Sequence, residues 1–295
     1  MAQKYTDIVV TIQDGIGTIK VNIYPSSKKL PHPSKLTISQ FNRPKQLNSF
    51  GGNLIEDTIA ALRELDNHPD TTFTVITGEG RFFASGADVT GIAGTPQNFK
   101  NDGEKKVFWV QRFAVGMELV RAMIDHKKVL VTAMNGPGVG AGAAWFQGSS
   151  DLLYAAEGAW LQVTFSQMGL VPENGAAANW AQSMGVHRAN DWLLFGGKAS
   201  VEELKEAGLV NKIFPQKTFH ADVHNYLKEM LKERSGKSMM EMKRLQNKGT
   251  RDARILSLFE AWQALSERFV DGEPMVRMKA KMDELAGKFT FLSSQ

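Results

Sequence analysis

Two strand-like runs in this chain each lead straight into a loop of small residues, and this pairing constrains the fold most. Phe73-Thr74-Val75-Ile76-Thr77 is a β-branched run that reads as a buried strand. It is followed by Gly78-Glu79-Gly80-Arg81-Phe82-Phe83-Ala84-Ser85-Gly86-Ala87-Asp88-Val89. Val129-Leu130-Val131-Thr132-Ala133-Met134 repeats the pattern and is followed by Asn135-Gly136-Pro137-Gly138-Val139-Gly140-Ala141-Gly142-Ala143-Ala144. Ser85, Gly86 and Ala87 carry little side-chain bulk, so a ligand can reach backbone N–H groups directly. The second loop is expected to enter a short helix ending near Gln147, where partial positive charge favours an anion. One such loop alone is equally an ordinary tight turn.

A third segment supplies a carboxylate. In Gly169-Leu170-Val171-Pro172-Glu173-Asn174-Gly175, Glu173 lies between Met168, Leu170 and Val171 on one side and Ala176 and Ala177 on the other. Apolar surroundings disfavour the charged form, so its pKa is expected to rise and Glu173 to act as a base near neutral pH. Taken alone, Glu173 is also compatible with a carboxylate serving a helix N-terminus. Two loops of free N–H groups and one carboxylate are the parts needed to remove a proton beside a carbonyl. The donors hold the enolate oxygen while the carboxylate moves the proton.

These pieces resemble the crotonase (enoyl-CoA hydratase/isomerase) superfamily. The resemblance is carried by Phe41-Asn42-Arg43-Pro44-Lys45-Gln46-Leu47-Asn48-Ser49-Phe50, by Gly80–Asp88 and Asn135–Gly140 above, and by Phe195-Gly196-Gly197-Lys198 and Glu206-Ala207-Gly208-Leu209-Val210-Asn211-Lys212-Ile213. It covers roughly residues 5 to 285. Phe269-Val270-Asp271-Gly272-Glu273-Pro274 is most similar to the peroxisomal-type Δ3,Δ2-enoyl-CoA isomerases. The resemblance implies an α/β fold: a crotonase-like spiral of β-β-α turns over residues 1–214. A helical region over 215–295 would cap the site and build a homotrimer, or a hexamer as a dimer of trimers. It implies oxyanion-hole amides at Ala87 and Ala141 and no cofactor, coenzyme A being part of an acyl-CoA thioester substrate. Polar recognition of that substrate falls to Ser85, Gly86, Ala87, Asp88, Val89, Ala141 and Lys45. It implies a peroxisomal location, although Leu292-Ser293-Ser294-Gln295 is not a recognisable peroxisomal address, and a cytosolic location is the alternative.

Three acidic positions sort the chemistries of that superfamily. Here they hold Ala144, Phe165 and Glu173. Hydration needs one group to activate water and another to protonate carbon, which Ala144 and Phe165 cannot supply. A dienoyl isomerase pairs its aspartate with a second carboxylate, which Phe165 removes. A 3-to-2 double-bond shift needs one carboxylate that serves both C2 and C4 of a dienolate, and Phe165 would add an apolar wall against water.

Composition fits this assignment. The chain has 295 residues, 22% charged and 42% apolar, with 35 basic and 31 acidic side chains for a net charge of +4. No basic run suggests nucleic acid. The absence of cysteine excludes disulfides and thiolate chemistry. No apolar stretch is long enough to span a membrane, and the opening residues are not expected to be a signal peptide or an Arg-rich transit peptide. Along the chain, residues 7–12 and 16–23 predict a hairpin across Asp14-Gly15, 25–33 a surface loop, 35–41 a strand and 54–67 a helix. After 215 only helices are expected, over 221–232, 239–247, 254–269 and 274–286.

Other readings stay open at this level. The polar stretch from Asn101 to Lys106 is expected to be a mobile loop, and Phe108, Trp109 and Phe113 either helix core or tunnel walls. His220 and His224 form an i, i+4 pair without a third ligand, so a solvated helix face is expected. Met239, Met240, Met242, Met275, Met278 and Met282 suit a core or subunit seam, with a Met-rich acyl pocket as the alternative. Gly138-x-Gly140-x-x-Ala143, with Glu157 about 20 residues on, loosely matches a dinucleotide fingerprint. Other crotonase-fold functions, such as an acyl-CoA hydrolase, a biosynthetic isomerase or a structural acyl-CoA-binding subunit, are the remaining rivals.

Overall fold

The computed structural model describes residues 5–20, 40–41, 47–95 and 98–293. Lys45, the 25–33 segment and most of the 35–41 segment lie outside the described residues.

A hairpin opens the fold. β1 (Val9–Gln13) and β2 (Ile16–Lys20) pair antiparallel, with Gln13 opposite Ile16. The two-residue turn holds Asp14 at φ 53° and Gly15 at φ 77°, the left-handed pair that matches strand twist in a tight hairpin. β3 (Gln40–Phe41), α1 (Leu54–Asp66), β4 (Phe73–Gly78), α2 (Val89–Ala93), α3 (Asp102–Ile124) and β5 (Val129–Met134) follow. Next come β6 (Gly138–Val139), α4 (Ala141–Ala144), β7 (Leu152–Ala156), β8 (Trp160–Gln162) and a 3-10 turn at Ser166–Met168. α5 (Ala176–Met184), α6 (Val186–Phe195), β9 (Lys198–Ser200), α7 (Val201–Glu206) and β10 (Lys212–Phe214) complete the α/β part. α8 (Phe219–Glu233), α9 (Gly236–Asp271) and α10 (Glu273–Ser293) end the described chain.

The main sheet runs β1-β2-β4-β5-β7-β10, with β3 also pairing β4. From β2 to β10 its neighbours are parallel. All six residues of β4 and of β5 are buried, as parallel strands covered on both faces require. Alternate side chains go to opposite faces. Ile76, Leu130 and Met134 join Leu62, Leu65, Leu119 and Met123 of α1 and α3. Phe73, Val75, Val129 and Val131 join Phe219, Val223 and Leu227 of α8. A second, three-stranded sheet runs β6-β8-β9.

Register brings the two small-residue loops together. Phe73 lies opposite Val129 and Thr77 opposite Ala133, so β4 and β5 end side by side. Asn135 then accepts from the Gly78 amide (2.9 Å) and donates to the Gly80 carbonyl (2.8 Å), which pins one loop to the other.

Two expectations fail. The 101–106 stretch is not a loop but the start of α3. The Asn101 side chain accepts from the Glu104 amide at 2.9 Å, and Asp102 and Glu104 occupy the positive end of the helix. Its lysines grip α9: Lys105 donates to the Val270 carbonyl (2.7 Å) and Lys106 pairs with Glu267 (2.7 Å). The 239–247 and 254–269 helices are one 36-residue helix, α9. Its polar middle is tethered, since Arg251 binds both oxygens of Asp125 and Arg254 reaches Asn179. Lys243, only 6% exposed, ties the same helix to Asp151 (2.7 Å).

Met239 and Met240 pack on the α8 side of the sheet, whereas Met242 is exposed. His224 hydrogen-bonds to Asp14 and His220 is exposed beside Phe219. Among the described residues no group of three side chains could hold a metal ion, and no helix is long and apolar enough to cross a membrane.

Candidate active site

The loop after β4 runs beside the loop after β5 as a short parallel pair. Phe83 N–H donates to the Pro137 carbonyl (3.0 Å) and Val139 N–H to the Ala84 carbonyl (2.9 Å). Gly86 then turns away at φ 85°. A Cβ there would lie 2.6 Å from the Val139 carbonyl oxygen and 3.2 Å from the Ala141 nitrogen. Only glycine satisfies both the positive φ and that approach.

Ala87 bridges Phe50 in parallel register. The bridge uses the Gly86 carbonyl and the Asp88 amide, so the Ala87 N–H points to the opposite side. Ala141 is the first residue of α4, where a helix leaves its N–H groups without intrahelical partners. Neither amide makes a hydrogen bond among the described residues. Regular helix stops at Ala144, short of the expected Gln147, with turns carrying the chain onward. Four residues carry little macrodipole, so individual N–H groups, not a helix field, are what this loop offers an anion.

Glu173 follows the 3-10 turn. Leu170 N–H returns to the Phe165 carbonyl (2.7 Å), and Asn174 (φ 48°) and Gly175 (φ 74°) swing the chain into α5. The Glu173 side chain does not cap that helix, since no side chain bonds its N-terminus. Instead its Oε2 accepts from the Trp145 indole N–H at 3.0 Å. Glu173 is 8% exposed. Burial pushes its pKa up to about 7, and the indole hydrogen bond pulls the other way. The helix-cap alternative is thereby replaced by a buried carboxyl poised near neutrality.

One cavity of about 860 Å³ collects these groups, a size typical of small-molecule sites. Ser85, Ala87, Asp88, Val89, Ala141 and Glu173 all line it. Gly86 does not line it but sets the approach of the two loops. Phe165, 2% exposed, forms part of the wall, as does Phe113. Trp109 lies behind that wall, stacked on Phe113 at 5.4 Å and packed on Phe269. Met278, Lys281 and Arg277 of α10 also line the cavity. That helix is fastened by Arg268, which donates to the Gly169 carbonyl (3.1 Å) and pairs with Glu273, which in turn pairs with Arg277.

Sequence alone does not single out Trp145, Gly116, Arg277 or Lys281, whereas Met278, expected in a core or subunit seam, lines the cavity. Trp145 was visible only as one large residue closing a run of small ones, and its partner lies 28 residues away. Lys45 lies outside the described residues. The dinucleotide alternative fails on topology. Gly138 is inside strand β6, α4 is too short for a crossover helix, and Glu157 is exposed after β7.

Residues 33–273 match the family model described as Enoyl-CoA hydratase/isomerase. A protein of Pyricularia oryzae named Delta(3,5)-Delta(2,4)-dienoyl-CoA isomerase is 35% identical over 58% of this chain and 63% of its own length. The 3,2-trans-enoyl-CoA isomerase of Saccharomyces cerevisiae is 32% identical over 80% of this chain and 87% of its own. The match spans about half to two thirds of the length of several other curated relatives. An enoyl-CoA hydratase/isomerase crystal structure from Mycobacterium paratuberculosis superposes with TM-score 0.76, at 24% identity, over 94% of this chain and 98% of that one. The mostly parallel α/β architecture, its likeness to the solved structure and above all the matched span place this chain in the enoyl-CoA hydratase/isomerase (crotonase) family.

Proposed function

We propose that this protein is a Δ3,Δ2-enoyl-CoA isomerase of unsaturated fatty acyl chains. The observation that carries the proposal is Glu173, the one buried carboxylate among the described residues lining the cavity; Phe165 lines it too, and Ala144, the remaining acid position, is buried in the core. The thioester oxygen would lie between the Ala87 and Ala141 amides. The Glu173 carboxylate takes a proton from C2, and the C–H electron pair moves into a dienolate whose negative oxygen the two amides stabilise. The same carboxyl returns the proton to C4, the dienolate pair closes the C2–C3 double bond, and the carboxylate is regenerated. Phe165, Phe269 and Leu265 keep the path apolar.

A 3,5-dienoyl substrate is the second reading, favoured by the Pyricularia relative. It requires a second carboxylate where Phe165 stands. The test is to incubate the protein separately with 3-enoyl-, 2-enoyl- and 3,5-dienoyl-CoA and identify products. We expect 2-enoyl-CoA from the first and negligible 3-hydroxyacyl-CoA from the second. Hydration at a rate comparable to isomerisation would overturn the assignment of Ala144 and Phe165, and preferred turnover of the dienoyl substrate would favour the second reading.

The proposal includes recognition of the coenzyme A end by the 85–89 loop and Lys45. It also includes a homotrimer or hexamer, supported by exposed apolar side chains on α9 such as Leu256 and Phe259, and a peroxisomal site of action by family resemblance.

Activity should depend on pH through Glu173. Its carboxylate is the active form, so kcat/KM should climb as pH rises through about 7 and level off above it. A flat profile between pH 5.5 and 8.5 would contradict Glu173 as the base.

A further inference from the structure

Trp145 is held from several sides. Its ring packs against Phe50, centroids 5.1 Å apart and tilted by 36°. Gly116 of α3 makes room for it, since a Cβ there would lie 2.7 Å from Trp145 Cη2. Its own amide donates to the Ala141 carbonyl at 3.0 Å, so it belongs to the same turn that presents the Ala141 N–H. The indole N–H reaches Oε2 of Glu173, whereas Oε1 has no hydrogen-bond partner among the described residues. The two carboxyl oxygens are therefore unequal.

An indole N–H donates and never accepts. It can bind Oε2 whether Oε1 is ionised or protonated, and it can neither take nor supply the travelling proton. An imidazole or a second carboxyl in that place could compete for either role. We propose that Trp145 is a positioning residue for proton transfer: its indole N–H clamps Oε2 of Glu173 and leaves Oε1 as the oxygen that takes the proton at C2 and returns it at C4. This rests on the isomerase reading above.

The clamp has a signature apart from packing. A hydrogen bond to the ionised carboxylate lowers the Glu173 pKa, opposing burial. The charged side chains facing the same cavity are Glu56 of α1, Asp88, Arg112 of α3, and Arg277, Lys281 and Glu284 of α10. None of them hydrogen-bonds to Glu173 among the described residues; the indole does. Losing the N–H should therefore move the titration upward, whereas losing a mere space-filler should not.

The test compares Trp145→Phe with Trp145→benzothienylalanine, which keeps the bicyclic shape and replaces the N–H by sulfur. The Glu173 carboxyl is titrated by infrared difference spectroscopy in the unliganded protein, with Glu173→Gln identifying its band. We expect the midpoint to rise by about one pH unit in both variants, from the loss of a hydrogen bond to a charged group. At pH 7, kcat for 3-enoyl-CoA should fall about 10-fold while KM stays within about 2-fold. An unmoved midpoint in the benzothienylalanine variant, or kcat within about 2-fold of wild type, would overturn the clamp. Failure of the isomerase reading looks different. Wild type would then be inert toward 3-enoyl-CoA, and the proton-transfer role would fall with it, even if the midpoint had moved.

Discussion

Glu173→Gln should lower isomerase turnover at least ~10²-fold and, at the same time, stabilise the protein. The shape is kept, and the amide oxygen can still accept from Trp145. The loss of rate follows because no other side chain in the expected acid positions can replace the base. The gain in stability follows from linkage. The Glu173 carboxyl titrates at about 7 in the folded chain against an ordinary 4.5, so between these values the folded state binds more protons than the unfolded state. Stability linked to this group is fully present below pH 4.5 and is lost as pH rises through about 7. The difference, about 2.5 pH units, corresponds to ~3 kcal/mol. Urea unfolding at pH 8 should show the variant more stable by up to that amount, the advantage shrinking toward pH 5. A variant that turns over normally, or that is less stable than wild type at pH 8, would contradict the placement of a buried ionising base there.

Gly86→Ala should be the most damaging small substitution in the loops. The new Cβ would meet the Val139 carbonyl oxygen at 2.6 Å and the Ala141 nitrogen at 3.2 Å, both backbone atoms that cannot rotate away. Either the loops part or the φ of 85° collapses, and both move the Ala87 and Ala141 amides. We expect a stability loss of ~1–3 kcal/mol and a fall in kcat of at least ~10-fold, as when an oxyanion donor is displaced. Gly158→Ala is the control. It has a similar φ of 75° but nothing within 4 Å of the new Cβ, so it carries the backbone strain without the collision. Equal effects of the two substitutions on kcat would show that loop approach is not what Gly86 protects.

The parts legible from sequence were those whose signal is local. β4 and β5 stand out because strands buried on both faces need unbroken apolar runs, and the small-residue loops after them could be located before their geometry was known. Glu173 stood out because its apolar neighbours in sequence are unlike those of the other acids. The charged stretch from Asn101 reads as a loop because its lysines face α9, and their partners, Val270 and Glu267, lie more than 150 residues away in sequence. α9 reads as two helices because its polar middle shows no apolar period. That segment is held by Asp125, just past the end of α3, and by Asn179 of α5, contacts that leave no mark in the helix itself. Trp145 gives no local signal for the same reason, its partner Glu173 lying 28 residues away. The clearance at Gly86 is likewise a property of two loops together, and one glycine among many gives no hint of it.

The central claim is that one carboxylate moves one proton between two carbons of an acyl-CoA. Its most direct test is to follow 3-enoyl-CoA deuterated at C2 with wild type and with Glu173→Gln, and to identify the product and the position of the label. The account expects 2-enoyl-CoA from wild type with part of the deuterium carried to C4, and at most ~1% of that rate from the variant. A 3-hydroxyacyl-CoA product, or undiminished turnover by Glu173→Gln, would contradict it.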